Sequence, residues 1–372
     1  MYNQVKVFIF STCFAFACIA NGSKLVEADN PCFNYYGRTN FSDPKAPVMY
    51  WTGSYIETKF SGNELSVILD DSGNNRYNIM IDRDLAQVDV IRCVKGKHTY
   101  KYSKKLSDGK HIVTIFRRND LGMGKTIFHG IIIGSNDNIF SIPKPKLKIE
   151  FYGDSITCGL GNEDISRKRN FDKSLANNYL AYSSMTARNL NADMHLIAKG
   201  GIGINCGFVP YVISDIYDRL DPLNPKSLKW DFSQWQADIV VINLFQNDSI
   251  LFGQKKKHKN FIKRFPSGVN PGSDYIIDSY VNFVEKLIAV YPNASFICAL
   301  GSMSATKPGS PWPGYIKKAV EKLKVRNKKV KLSTLFFPYK NTPGHPNVSE
   351  HKVMADSLTQ FIKENILNYH SR

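Results

Sequence analysis

The stretch Leu147-Lys148-Ile149-Glu150-Phe151-Tyr152-Gly153-Asp154-Ser155 joins an apolar run of strand length to a turn that ends on a hydroxyl side chain. Further apolar runs follow it at 195–198, 239–244, 296–300 and 330–336. Helical periodicity lies between them, as in the two sets Ile277, Val281, Val284, Ile288 and Ala355, Leu358, Ile362. Buried strands that alternate with amphipathic helices predict an α/β fold, with helices on both faces of a parallel sheet.

The chain before this stretch has a different pattern of secondary-structure signals. Short β segments run from Tyr50 to Gly134, and Gly, Asn and Asp residues separate them. This spacing predicts a small all-β sandwich or jelly roll over residues 23–140. Two prolines within residues 141–146 break both helix and central strand and predict a linker. The α/β domain then covers residues 147–372.

The first 22 residues are predicted to be a signal peptide. Lys6 precedes an apolar run from Val7 to Ala20, which is too short to cross a bilayer but suits a secretory signal. We therefore expect an exported protein, periplasmic or secreted, with no stable membrane insertion. Cleavage would leave five cysteines, Cys32, Cys93, Cys158, Cys206 and Cys298. None forms a Cys-x-x-Cys pair, so one disulfide is possible but a disulfide framework is not expected.

Composition and charge restrict the classes of function. Hydrophobic residues make up 43% of the chain and charged residues 22%, which excludes wholesale disorder and a multi-span membrane protein. Lys and Arg number 49 against 32 Asp and Glu, a formal charge of +17 that attracts polyanions. The basic runs 255–259 and 317–331 have the pattern of solvated faces and lack a nucleic-acid motif, so no nucleic-acid partner is expected. The charge leaves open an acidic glycan as the binding partner.

Four residues that could do chemistry each follow a different predicted strand. Ser155, Gly201, Asn247 and His345 come in this order along the chain. Each alone has an ordinary structural explanation: a connecting turn, a glycine turn, a solvated Asn, a loop histidine. Together they supply a nucleophile, oxyanion donors and a general base at one edge of a sheet. The histidines show no metal-binding spacing and no Walker loop appears, so neither a metal nor a cofactor is expected.

These blocks resemble the SGNH-hydrolase superfamily and, within it, carbohydrate esterase family 2. The block from Ile149 to Gly159 is similar to that family's nucleophile block, and residues 178–190 resemble its following helix. Residues 52–57, 69–77 and 114–118 match in the N-terminal half. The resemblance implies a jelly roll joined to a three-layer SGNH domain. It also implies an exported esterase that removes O-acetyl groups from polysaccharides or oligosaccharides.

Carried over by position, the resemblance makes Ser155 the nucleophile and His345 the general base. The oxyanion hole would consist of Ser155 N–H, Gly201 and Asn247, while His351, inside the last helical pattern, is the less favoured base. Two departures stand out: Phe245 replaces a usual glycine, where it could narrow the pocket, and Thr342 replaces the usual aspartate before the histidine. A Ser–His dyad with a backbone carbonyl behind the imidazole is expected instead.

Two other functions compete with this one. The first is a glycan-binding protein whose esterase site has decayed, which the two departures motivate. The second is a polyanion binder, motivated by the charge alone. The sugar backbone and the oligomeric state stay open.

Overall fold

The first half of the chain forms two antiparallel sheets. The computed structural model describes residues 22–166, 172–253, 258–267 and 271–367. The strands of this half are β1 (Ser23–Val26), β2 (Asn34–Tyr36), β3 (Thr39–Asn40), β4 (Val48–Met49), β5 (Tyr55–Ser61), β6 (Ser66–Asp71), β7 (Arg76–Ile81), β8 (Val88–Arg92), β9 (Gly96–Lys101), β10 (Lys110–Arg117), β11 (Thr126–Gly134) and β12 (Ile139–Phe140).

The two sheets share one apolar core. One sheet has the order β3-β4-β11-β6-β9, and β1 also pairs with β11. The other has the order β12-β5-β10-β7-β8, and β2 also pairs with β5. Val67 and Leu69 of the first sheet and Ile79 and Ile81 of the second lie in the same buried cluster. Alternating side chains thus fill the space between the sheets, which confirms the predicted jelly-roll class.

The second half forms a parallel sheet covered by helices. Its strands are β13 (Leu147–Gly153), β14 (Ala192–Ala198), β15 (Ile239–Asn243), β16 (Ser295–Leu300) and β17 (Lys331–Phe336). Its helices are α1 (Ser155–Cys158), α2 (Tyr182–Asn189), α3 (Ile213–Ile216), α4 (Gln246–Gly253), α5 (Lys259–Arg264), α6 (Ser273–Val290), α7 (Trp312–Arg326) and α8 (Val348–Asn365). The strand order is β14-β13-β15-β16-β17, and all neighbouring strands run parallel.

Successive residues of the central strands face two separate cores. In β15, Val240 and Ile242 belong to the core that α6 and α7 cover. Ile239 and Val241 belong to the core that α2 and α8 cover. This alternation explains why the strands read as continuous apolar runs, and it confirms the three-layer α/β prediction. The carboxyl ends of the strands meet at one edge, where a ligand site is expected.

A buried ion pair joins the two halves. Arg38, between β2 and β3, donates from Nη2 to Glu150 Oε1 over 2.8 Å, and both side chains are fully buried. The Tyr152 hydroxyl donates to the other Glu150 oxygen. Burial alone would raise the pKa of Glu150, but the Arg38 charge holds it down at about 2. The jelly roll therefore contacts the parallel-sheet half through an ion pair that is shielded from water.

Some sequence predictions fall beyond the described part of the chain. Nearly all of the predicted signal peptide, residues 1–21, and the lysines 255–257 lie outside the described residues. Within them, no helix is both long and apolar enough to span a membrane. The five cysteines after the signal segment are free. The last jelly-roll strand ends at Phe140 and the first parallel strand begins at Leu147, on either side of the predicted linker.

Candidate active site

Ser155 is the first residue of α1, directly after the turn that ends β13. The carboxylate of Asp154 caps this short helix by accepting a hydrogen bond from Ile156 N over 3.0 Å. A side chain at Gly153 would collide with Thr157, so the turn requires glycine. Only 5% of Ser155 is exposed. The local sequence thus holds the hydroxyl at the carboxyl end of β13.

His345 lies beside this serine. Its Nε2 is 2.8 Å from Ser155 Oγ, although the two residues are 190 positions apart. The histidine comes from the loop between β17 and α8, and Asn347 caps α8 immediately after it. The structure therefore brings together the predicted nucleophile and the predicted base at hydrogen-bond distance.

The environment of His345 favours the neutral imidazole. Burial, followed by the positive charge of Lys340, lowers the pKa of His345 to about 4. Lys340 donates to the carbonyls of Thr342 and Pro343 and to the Thr342 hydroxyl. The Thr342 hydroxyl in turn donates to Glu350. The threonine that replaces an aspartate is thus tied to a Lys–Glu pair that holds the histidine loop.

Gly201 lies in the loop after β14, with a φ of +81° that favours glycine. A carboxylate organises the residues that follow it: Asp248 accepts backbone hydrogen bonds from Ile204, Asn205 and Cys206. A side chain at Gly203 would collide with this carboxylate. Asp248 is fully buried, and its burial raises its pKa. The glycine loop is therefore folded around one buried acid.

Asn247 connects the glycine loop to the nucleophile turn. Its Nδ2 donates to Ile202 O over 2.7 Å and to Asp154 Oδ2 over 3.2 Å. Burial, together with the nearby Asp248, raises the pKa of Asp154 to about 7. The neighbours of Ser155 and of Gly201 are thus linked through the one amide that the sequence proposes as an oxyanion donor.

Phe245 and His351, which the sequence also singles out, do not contact the Ser155–His345 pair. Phe245 has a φ of +86°, a conformation that costs a non-glycine residue about 1–3 kcal/mol. Its ring is buried between Tyr280 and Trp312, so it points into the core instead of lining the cleft beside His345. His351 is fully buried inside α8, stacks on Tyr182 and accepts a hydrogen bond from Tyr182 N at Nδ1.

A cleft of about 330 Å³ opens beside His345. Leu160, Ile250, Met303 and Tyr339 give it apolar walls, and Asp164 adds a carboxylate. In the loop after Gly201, Phe208 is 43% exposed and donates its backbone N–H to Gly201 O. Among the residues that the structure describes, no cluster of His, Cys, Asp and Glu is arranged to hold a metal ion.

Sequence reasoning missed the residues that organise the loops. Asp248 directly follows Asn247, and this position beside a candidate oxyanion donor was the one signal that could have identified it. Lys340 gave no signal, because it binds backbone carbonyls. Lys199 gave none either, because Asp120, to which it donates a hydrogen bond, is 79 residues away in the chain.

The parallel sheet of this strand order, with Ser155 and His345 at its carboxyl edge, defines the fold of an SGNH hydrolase with an N-terminal jelly roll. Residues 35–143 match the family model described as carbohydrate esterase 2 N-terminal. A family two carbohydrate esterase from Clostridium thermocellum, solved with cellohexaose, shares 30% identity and a TM-score of 0.78 with this chain. That match covers 90% of this chain and 99% of the other. The chain belongs to carbohydrate esterase family 2.

Curated relatives carry esterase names. The cellulase/esterase CelE of Acetivibrio thermocellus is 32% identical over 360 residues, which cover 93% of this chain and 41% of CelE. This chain thus spans less than half of that relative. An acetylxylan esterase / glucomannan deacetylase of Cellvibrio japonicus is 23% identical over 364 residues, covering 96% of this chain and 95% of the relative.

Proposed function

We propose that this protein is an exported serine esterase that removes O-acetyl groups from polysaccharides or oligosaccharides. The observation that carries the proposal is the 2.8 Å distance between Ser155 Oγ and His345 Nε2. A serine and a neutral imidazole at this distance can act as an activated nucleophile and its base. The names of the relatives, which include an acetylxylan esterase / glucomannan deacetylase, support an acetylated glycan as the substrate.

The reaction begins with proton transfer from Ser155 Oγ to His345 Nε2. The oxygen attacks the carbonyl carbon of the acetyl ester, and the carbonyl electron pair moves to its oxygen. A neutral imidazole with its hydrogen on Nδ1 is required, and the lowered pKa of His345 keeps it neutral in weakly acidic solution. The acceptor that we propose for Nδ1–H is a backbone carbonyl.

Three N–H groups would stabilise the resulting oxyanion: the backbone N–H groups of Ser155 and Gly201 and the side-chain amide of Asn247. The Asn247 amide is held by Ile202 O over 2.7 Å and by Asp154 over 3.2 Å. The longer of these bonds is the one that an oxyanion would displace. Donors fixed before the reaction stabilise the transition state without reorganisation.

Collapse of the tetrahedral intermediate releases the sugar. His345 returns its proton to the leaving sugar oxygen, and the acetyl group stays on Ser155. Water then attacks the acetyl-enzyme as His345 takes its proton, His345 passes that proton to Ser155 Oγ as the acyl bond breaks, and acetate leaves. The sugar would lie in the cleft beside His345.

The deciding experiment measures acetate released from a panel of acetylated polysaccharides. We expect Ser155→Ala and His345→Gln to abolish release while retaining the wild-type melting temperature. Ser42→Ala and His98→Gln, which change exposed side chains of the jelly roll, serve as matched controls. Full activity in either active-site variant would refute the dyad.

Two parts of the proposal need separate measurements. N-terminal sequencing of the protein recovered outside the cytoplasm tests export, since it should begin near residue 22. The charge of +17 suggests a preference for acidic glycans. Equal, salt-insensitive rates on neutral and uronate-bearing substrates would contradict that preference.

One observation favours the glycan-binding alternative. The side-chain amide of Asn247 already donates two hydrogen bonds within the protein, so an oxyanion would have to displace one of them. It predicts saturable glycan binding by wild type and Ser155→Ala alike, with no acetate released from any substrate by either protein.

A further inference from the structure

A buried ion pair links the jelly roll to the glycine loop. Lys199 Nζ donates to Asp120 Oδ2 over 2.6 Å. The side chain of Lys199 is 11% exposed and that of Asp120 is 3% exposed. Lys199 is the first residue after β14, whereas Asp120 lies between β10 and β11 of the jelly roll. The ion pair therefore joins the two domains, and its lysine lies two residues before Gly201 in the chain.

Asp120 is held firmly from both sides. Its neighbour Asn119 accepts a hydrogen bond from Arg76 N over 2.6 Å and donates to Asn75 Oδ1 over 3.1 Å. The next residue, Leu121, is 2% exposed and packs in the core of the parallel-sheet half. A carboxylate anchored in this way can fix the position of its partner, because its own movement is restricted.

Lys199 and Asp120 together contact the whole turn that contains Gly201. Lys199 N donates to Gly153 O over 3.3 Å, and Lys199 O accepts from Ile202 N over 3.2 Å. A side chain at Gly200 would bring its Cβ within 3.0 Å of Asp120 Oδ2, so the carboxylate lies against the turn itself. Ile202 O is also the acceptor of the Asn247 amide. Movement of this turn would displace two of the proposed oxyanion donors.

Lys199 keeps its charge in spite of its burial. Burial alone would lower the pKa of Lys199, but Asp120 opposes it and the net pKa lies above the ordinary value. Loss of either charge would leave the other buried without compensation, and the loop would have to rearrange.

We propose that Asp120 is a positioning residue for the oxyanion hole, which acts through Lys199, and that the jelly roll is thereby part of the catalytic machinery. This inference rests on the proposed function. Asp120 touches no reacting atom, so its effect should fall on the transition state and not on binding of the substrate. Small displacements of a catalytic group cost about 10²-fold in rate.

The test compares Asp120→Asn with Glu57→Gln. Glu57 is also a buried jelly-roll carboxylate, and it accepts hydrogen bonds from Arg83 and Thr114. We expect Asp120→Asn to lower kcat about 10- to 100-fold with KM within about twofold. Glu57→Gln should lower the melting temperature but leave kcat unchanged while the protein is folded.

Two further measurements separate positioning from general damage. The effects of Asp120→Asn and Lys199→Met should not add in the double variant, because both remove the same interaction. Hydrogen exchange in the peptide 199–206 should be faster in Asp120→Asn than in Glu57→Gln. This readout does not depend on turnover.

The outcomes are distinct. A wild-type kcat and wild-type exchange in folded Asp120→Asn would overturn the positioning role, as would equal losses of kcat in Asp120→Asn and Glu57→Gln. Absence of Ser155-dependent acetate release from wild type would instead refute the proposed function, and the exchange result would still decide whether Asp120 orders the turn.

Discussion

The low pKa of His345 predicts an unusual pH dependence. The environment lowers this pKa from 6.5 to about 4, first through burial and then through the charge of Lys340. A general base works only in its neutral form, so the ionisation of His345 should make kcat/KM rise with pH through about 4.

The size of the effect follows from the two pKa values. At pH 5 a histidine with a pKa of about 4 is about 90% neutral, whereas one with a pKa of 6.5 is about 3% neutral. The activity at pH 5, relative to that at pH 8, should therefore be about 30-fold higher than an unperturbed histidine allows.

The assay measures acetate after quenching, because its detection is then independent of the reaction pH. Circular dichroism at each pH, and recovery of activity on return to pH 7, control for acid unfolding. A half-maximal kcat/KM near pH 6.5 in the folded enzyme would refute the reasoning.

Lys340→Met extends this test. Removing the charge should move the half-maximal pH upward, but only partly, because burial is the larger cause of the shift. Lys352→Met, which removes an exposed charge from α8, is the matched control. An unchanged pH profile in Lys340→Met would show that this ammonium does not act on the imidazole.

Three other outcomes are expected. Asn247→Ala should lower turnover on an acetyl ester by about 10²–10³ with little loss of stability, and near-wild-type kcat would remove it from the oxyanion hole. Arg38→Met should lower the free energy of unfolding in urea by about 3–5 kcal/mol, because Glu150 is left buried without its partner; adding Glu150→Leu should recover part of that loss. The fully buried His351 has its pKa lowered to about 3, so it contributes stability that is lost as pH falls from 6.5 towards 3. His351→Gln should therefore show a smaller drop in urea midpoint between pH 7 and pH 4.5 than wild type, and an equal drop would contradict that contribution.

Much of the fold follows from local pattern. The parallel strands are buried on both faces, so they read as apolar runs, and the helix periodicity of 277–288 matches α6. The order of the candidate residues also follows from the sequence, because the carboxyl ends of parallel strands lie at one edge. His345 could be placed near Ser155 on this basis alone.

The direction of a side chain could not be predicted in the same way. Phe245 was expected to narrow the pocket, yet the positive φ of its backbone turns the ring toward Tyr280 and Trp312. The sequence shows a bulky residue in place of glycine. The direction of its ring, however, depends on packing against α6 and α7, which lie later in the chain.

The amino-acid sequence by itself determined the two folds, their order and the residue types that meet at the sheet edge, because strand and helix periodicities are local properties of the chain. Only the tertiary structure decided how those residues are held. Asp248 gathers three backbone N–H groups, Lys340 binds the carbonyls of the histidine loop, and Asp120 reaches Lys199 across the domain boundary. Such contacts join residues far apart in the chain or join side chains to backbone atoms, so no spacing in the sequence encodes them.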